Sequence, residues 1–149
     1  MLESMNADIH DNSIDGVRYG IRMSLGSANN NIYDNTFNDC SDYGLYTYEG
    51  TDAPTDGVSD GRPADNTFDN NEVTDTAGGV KFKNSDNLVV TNNEFTGTAE
   101  LEFFDAQGTV WSDNTLPSSG VCVDNITSDD GDSVDVSTFV SSNGLPSDC

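Results

Sequence analysis

Positive charge is what this sequence has least of. Against 27 Asp and Glu it sets five Lys and Arg (Arg18, Arg22, Arg62, Lys81 and Lys83) and one His, for a formal charge of −22 over 149 residues. Such an imbalance argues against nucleic acid as a partner, because that binding depends on neutralising phosphates. It suits a salty medium, where screening weakens self-repulsion. No apolar run approaches the ~18 residues a membrane span needs. Nor does the start, Met1-Leu2-Glu3-Ser4, show the charged-then-apolar pattern of a secretion signal. It runs straight into a repeat, so a segment of a longer protein is expected. Cysteine is scarce too: Cys40, Cys122 and Cys149 lack CxxC spacing, and no metal site is expected from them. Cys122 and Cys149 could pair and pin the tail, or all three could be plain thiols. The single glycosylation sequon, Asn125-Ile126-Thr127, is weak support for a secretory route.

Apolar residues make up only 34% of the chain, while Asn, Asp, Gly, Ser and Thr abound. That composition borders on disorder. Yet 13 aromatics and regularly placed Ile, Val, Leu and Phe argue for a core. A solenoid reconciles the two, since each coil buries a narrow seam against its neighbours.

One phrase, Asp/Asn-Asn-x-apolar, recurs five times, with its Asn at 12, 35, 71, 93 and 114. The spacings are 23, 36, 22 and 21, so a coil is about 22 residues and one carries about 14 more. An apolar residue lies three positions before each Asn, and a third short segment follows, such as Tyr19–Met23 and Tyr43–Thr47. Three short strands per coil, separated by turn-forming residues, fit a period of two and not a helical 3.6. The pattern predicts an all-β right-handed parallel β-helix of about five coils over residues 1–124, with an insertion at 49–62 and an irregular acidic tail or cap at 125–149.

Three inward stacks follow: Ile9/Ile32/Phe68/Val90/Trp111, Ile14/Phe37/Val73/Phe95/Leu116 and Ile21/Leu45/Val80/Leu101/Val121. The repeated Asn would sit at a bend where left-handed backbone is tolerated, with side-chain amides bonding the coils above and below. The first coil lacks a cap, which makes end-to-end self-association plausible. In the tail, Ser128–Ser133 is acidic and turn-rich, but the ligand spacing of a calcium loop is missing. No cofactor is expected, with calcium there a remote alternative.

In the third strand the residues between the inward stacks must face solvent. They read Arg22, Tyr46, Lys81, Glu102 and Cys122 in one row, and Ser24, Tyr48, Lys83, Phe104 and Asp124 in the next. Three of the five bases fall in these ten positions, where chance would place well under one. Cations alternating with aromatics suit a linear anionic sugar polymer. The insertion leaves directly after Tyr48 and would stand beside this face as a wall or lid. The alternative is that the bases merely offset acid and the Tyr residues form a cross-coil ladder. His10 suits a general base by type, but it reads better as a solvated residue at a coil corner. Tyr19 and Tyr43 read as corner-packing residues.

Tyr19-Gly20-Ile21-Arg22-Met23-Ser24-Leu25-Gly26-Ser27 and Tyr43-Gly44-Leu45-Tyr46-Thr47-Tyr48-Glu49-Gly50 resemble mannuronan C-5-epimerases, most closely the brown-algal type. Asp60-Gly61-Arg62-Pro63 and Asp113-Asn114-Thr115-Leu116-Pro117 extend the resemblance over most of residues 6–124. It implies an extracellular or cell-wall β-helix protein, a C-terminal portion of the catalytic solenoid, that converts mannuronate to guluronate within alginate. By resemblance and position, Arg22 and Lys81 are candidates to neutralise the substrate carboxylate, and Tyr46 or Tyr48 to transfer the proton. A nearby cation would lower such a tyrosine's pKa. Lys83, Glu102, Arg62 and Ser24 are candidates for substrate binding. The Asp-Pro-His motif of the bacterial enzymes is absent, so this chain either lacks that coil or works differently. A polyuronate lyase and a non-catalytic surface, adhesion or carbohydrate-binding module are the competing readings.

Overall fold

The computed structural model describes residues 4–50, 61–96, 101–107, 109–115, 121–124 and 141 (backbone alone at 105, 107 and 121–124). Each coil contributes three strands. The first coil holds β1 (Asp8–His10), β2 (Ser13–Asp15) and β3 (Tyr19–Met23); the second holds β4 (Asn31–Tyr33), β5 (Thr36–Asn38) and β6 (Tyr43–Thr47). The third holds β7 (Thr67–Asp69), β8 (Glu72–Thr74) and β9 (Val80–Asp86), and the fourth β10 (Val89–Thr91), β11 (Glu94–Thr96) and β12 (Leu101–Gln107). A partial fifth adds β13 (Val110–Ser112) and β14 (Val121–Asp124). The strands stack into three parallel sheets, ordered β1-β4-β7-β10-β13, β2-β5-β8-β11 and β3-β6-β9-β12-β14. Among the described residues no helix is long and apolar enough to cross a membrane.

Period-two alternation sets the register. Ile9, Ile32, Phe68, Val90 and Trp111 align across the first sheet. Ile14, Phe37, Val73 and Phe95 align across the second, and Ile21, Leu45, Val80, Leu101 and Val121 across the third. These are the expected stacks; Leu116 lies outside the described residues. A fourth inward column, Met23, Thr47, Phe82 and Phe103, completes the core. Its one polar member, Thr47, is satisfied by Ser85 Oγ at 2.8 Å and by the Lys83 N–H at 3.0 Å. Each large side chain buried here contributes roughly 1.5–3 kcal/mol. Ile9 and Ile14, in the first coil, are only partly buried.

The repeated Asn residues form the expected ladder. Asn12 donates through Nδ2 to Asn35 Oδ1, Asn35 to Asn71, Asn71 to Asn93 and Asn93 to Asn114, at 2.8–3.0 Å. The left-handed residue, however, is the one before each: Asp11, Asp34, Asn70, Asn92 and Asp113 have φ of 50–57°. The ladder Asn is thus freed from the bend, and its amide points between coils. A second, shorter ladder joins Ser4, Asn30 and Asn66 at the preceding corner.

Both ends of the 49–62 insertion are tied down. The Gly26 N–H donates to Gly61 O at 2.9 Å, and Asn84 Nδ2 donates to Glu49 at 3.1 Å. The expected wall or lid falls on residues 51–60, outside the described residues, as do the calcium alternative at 128–133 and the Cys122–Cys149 pair. Cys40 is a free, buried thiol whose pKa is pushed up by burial and nearby carboxylates.

Candidate functional site

The third sheet brings the predicted outward row together. Arg22, Tyr46, Lys81 and Glu102 are consecutive Cα partners on β3, β6, β9 and β12. Lys83 and Phe104 are partners in the second row. Adjacent rungs are about 4.8 Å apart, so each coil offers one side chain per row along the axis.

Four tyrosines join this face. Tyr46 stacks on Tyr48 at 5.1 Å, on Tyr43 at 5.0 Å and on Tyr19 at 5.9 Å between ring centroids. Tyr19 and Tyr43 are therefore part of the site, beyond corner packing. The signal for them was the Tyr-Gly pair recurring in register in two coils. Gly20 and Gly44 are required beneath them: a Cβ at Gly20 would lie 2.4 Å from Gly44 O and 2.5 Å from Phe37 Cδ1. At Gly44 it would lie 2.6 Å from Val73 Cγ1. The small residues let neighbouring coils and Phe37 approach closely beneath the two rings.

The cations sit on these rings. The exposed Arg22 guanidinium lies 5.0 Å from the Tyr48 centroid and 5.5 Å from that of Tyr19. Lys81 lies 5.8 Å from Tyr43, and Lys83 5.2 Å from Phe104. At the corner, Arg18 donates to Asp42 at 2.7 Å and lies 5.1 Å from the Tyr19 ring. The hydrogen bond from Arg18 holds the Asp42 carboxyl below its ordinary pKa, and the bond to Asp42 raises that of Tyr19.

Lys81 forms an ion pair with Glu102. Burial pulls the Lys81 pKa down, but the hydrogen bond and charge of Glu102, with Tyr43 and Tyr46, outweigh it and the net shift is upward. The expected lowering of a tyrosine pKa is reversed at Tyr46. Burial raises it, and the opposing charge of Lys81 does not compensate. Tyr46 is a proton holder at neutral pH.

Two candidates are not on the face. Arg62 is buried, 5% exposed, and grips Asp86 through Nε at 3.1 Å and Nη2 at 2.8 Å. It pins the end of the insertion to β9 and is not exposed on the outward face. Ser24 is also buried, because the chain turns there: Leu25 and Gly26 have φ of 54° and 72°, and the Ser24 carbonyl accepts from Ser27 Oγ at 2.8 Å. Strand alternation stops one residue before the position that would have put Ser24 outside. His10 lies on the first sheet, stacked on Tyr33 at 4.7 Å and paired with Asp11 at 2.7 Å. Among the described residues no three His, Cys, Asp or Glu converge as metal ligands.

A family model described as "Right handed beta helix region" matches residues 1–149, the whole chain. The chain belongs to that family. No curated protein and no solved structure gives a match. The family thus accounts for the scaffold, and the β-helix face must speak for its own chemistry.

Proposed function

We propose that this β-helix protein binds a linear uronate polymer along its third sheet and, as the resemblance implies, epimerises mannuronate to guluronate within it. The observation that carries the binding reading is Arg22: an exposed guanidinium clamped between the Tyr19 and Tyr48 rings, beside Tyr46 and Lys81. A guanidinium so placed loses little freedom when it takes a carboxylate in its fork. Many members of the family act on polysaccharides, which agrees with this substrate class. Such polymers lie outside cells, and an extracellular or surface location goes with the proposal.

Epimerisation needs the C6 carboxylate neutralised, the C5 proton removed by a base, and a proton delivered from an acid to the opposite side. Arg22 serves the first need. Tyr46, with its raised pKa, serves as the acid, and the Lys81 charge beside it stabilises the phenolate left behind. Tyr48 takes the base's part as its phenolate, formed by loss of its proton to solvent, and leaves the step as the phenol. Tyr46 leaves the step as the phenolate, so the proton lost from C5 and the one gained balance, and proton exchange with solvent returns each tyrosine to its starting form.

A binding module without turnover is favoured by a different observation: Lys81 is already engaged by Glu102. Incubation with polymannuronate in deuterated water separates the readings. Deuterium at C5 with guluronate signals in the proton NMR spectrum supports epimerisation. Polymer binding without exchange supports the module, and unsaturated, ultraviolet-absorbing ends would reveal a lyase. Neither binding nor exchange overturns the proposal.

A further inference from the structure

We propose that Glu102 is an internal competitor of the polymer: its carboxylate occupies Lys81, and a substrate uronate must displace it to reach that ammonium. The proposal rests on the reading of the third sheet as a polyuronate face, and it revises the part of Glu102 from substrate binder to substrate rival.

The register puts Glu102 in the same outward row as Lys81, one coil further on. A polymer lying along the row would pass over both side chains, which stand one rung of about 4.8 Å apart. A glutamate carboxylate and a uronate carboxylate are the same chemical group, and an ammonium is a point charge with no second fork to offer. The side chains of Lys81 and Glu102 are 21% and 22% exposed, buried enough to strengthen the pair over an open surface one and exposed enough for a ligand to reach. The other ion pairs differ. Arg62, 4% exposed at its side chain, is closed in with Asp86. Arg18, 73% exposed, still presents donors after Asp42 has taken its Nε–H.

The pair also gives the face a direction. From Arg22 through Tyr46 to Lys81 the row is cationic and aromatic, and at Glu102 it turns acidic. A polyanion is held over the first three coils and repelled at the fourth.

The test measures binding of the whole chain to polymannuronate for wild type, Glu102→Gln, Lys81→Ala, the double variant and Glu72→Gln. Glu72 is exposed on the second sheet and makes the same change in net charge. Glu102→Gln is expected to bind roughly fivefold tighter, the worth of a partly exposed pair. Glu72→Gln should match wild type, and the gain should vanish in the double variant relative to Lys81→Ala and with methyl-esterified polymer. Wild-type binding with no gain in Glu102→Gln, or an equal gain in Glu72→Gln, overturns this inference alone. Binding by Glu102→Gln where wild type shows none supports it. Binding by neither overturns it together with the reading of the face.

Discussion

Asn93 accepts at Oδ1 from both the N–H and the side-chain amide of Asn71, each at 2.9 Å, and donates through Nδ2 to Phe68 O, Thr91 O and Asn114 Oδ1. Asn93→Ala strands these groups inside the stack and should cost roughly 2–5 kcal/mol, read from chemical denaturation. Asn92→Gly next to it should cost far less, because the φ of 56° there suits glycine. The same contrast explains what could be read at this scale. A recurring Asp/Asn-Asn phrase announces a ladder and a bend, but only the backbone shows that the first residue bends and the second bonds. At Tyr46 and Lys81 both pKa values lie above their ordinary values. A raised folded-state value contributes stability that is present below the unfolded pKa and lost as pH rises through the folded one. The predicted loss is therefore on the alkaline side, above the ordinary values of about 10 and 10.4. Lys81→Ala should push Tyr46 higher still, since Lys81 opposes its rise. Phenolate absorbance, differenced against Tyr46→Phe, checks this.

Among the elements, the third strands were the most legible part of the candidate site. Strict alternation from Ile21 onward fixes Arg22, Tyr46, Lys81 and Glu102 on one side once the coils are in register. What alternation could not supply is where it stops. Ser24 falls in a turn, and Arg62 closes the insertion onto Asp86, so both leave the face. Nor does periodicity reveal partners across coils: the Lys81–Glu102 pair and the tyrosine stack depend on side-chain reach. The close packing at the start of these strands depends on Gly20 and Gly44. Gly20→Ala should destabilise by roughly 1–3 kcal/mol through overpacking against Phe37. It should also disturb the near-ultraviolet signal of Tyr19, Tyr43 and Tyr46, whose rings sit directly above. An unchanged signal with full stability would contradict this account of the packing.

For the whole molecule, a charge of −22 has to be spread along a rod. The outer corners do so by pairing acid with amide from coil to coil. Asp8 accepts from Asn31 at 2.9 Å, Asp34 from Asn70 at 2.6 Å, Asp65 from Asn87 at 3.1 Å and Asp69 from Asn92 at 2.8 Å. At these four positions a neutral donor stands where parallel stacking would otherwise align a second carboxylate, whereas Glu72 and Glu94 remain direct partners. The residual repulsion is screened by salt, so the melting temperature should rise with ionic strength from low-salt buffer. A flat or falling trend would contradict it. On the function proposed above, the third sheet is the surface where a polyanion settles despite this field. The most direct measurement is a chemical-shift map of the protein titrated with polymannuronate. The account predicts perturbations centred on Arg22, Tyr46, Tyr48, Lys81 and Lys83, lost in Arg22→Ala. Perturbations centred on the first or second sheet, or none at saturating polymer, would contradict it.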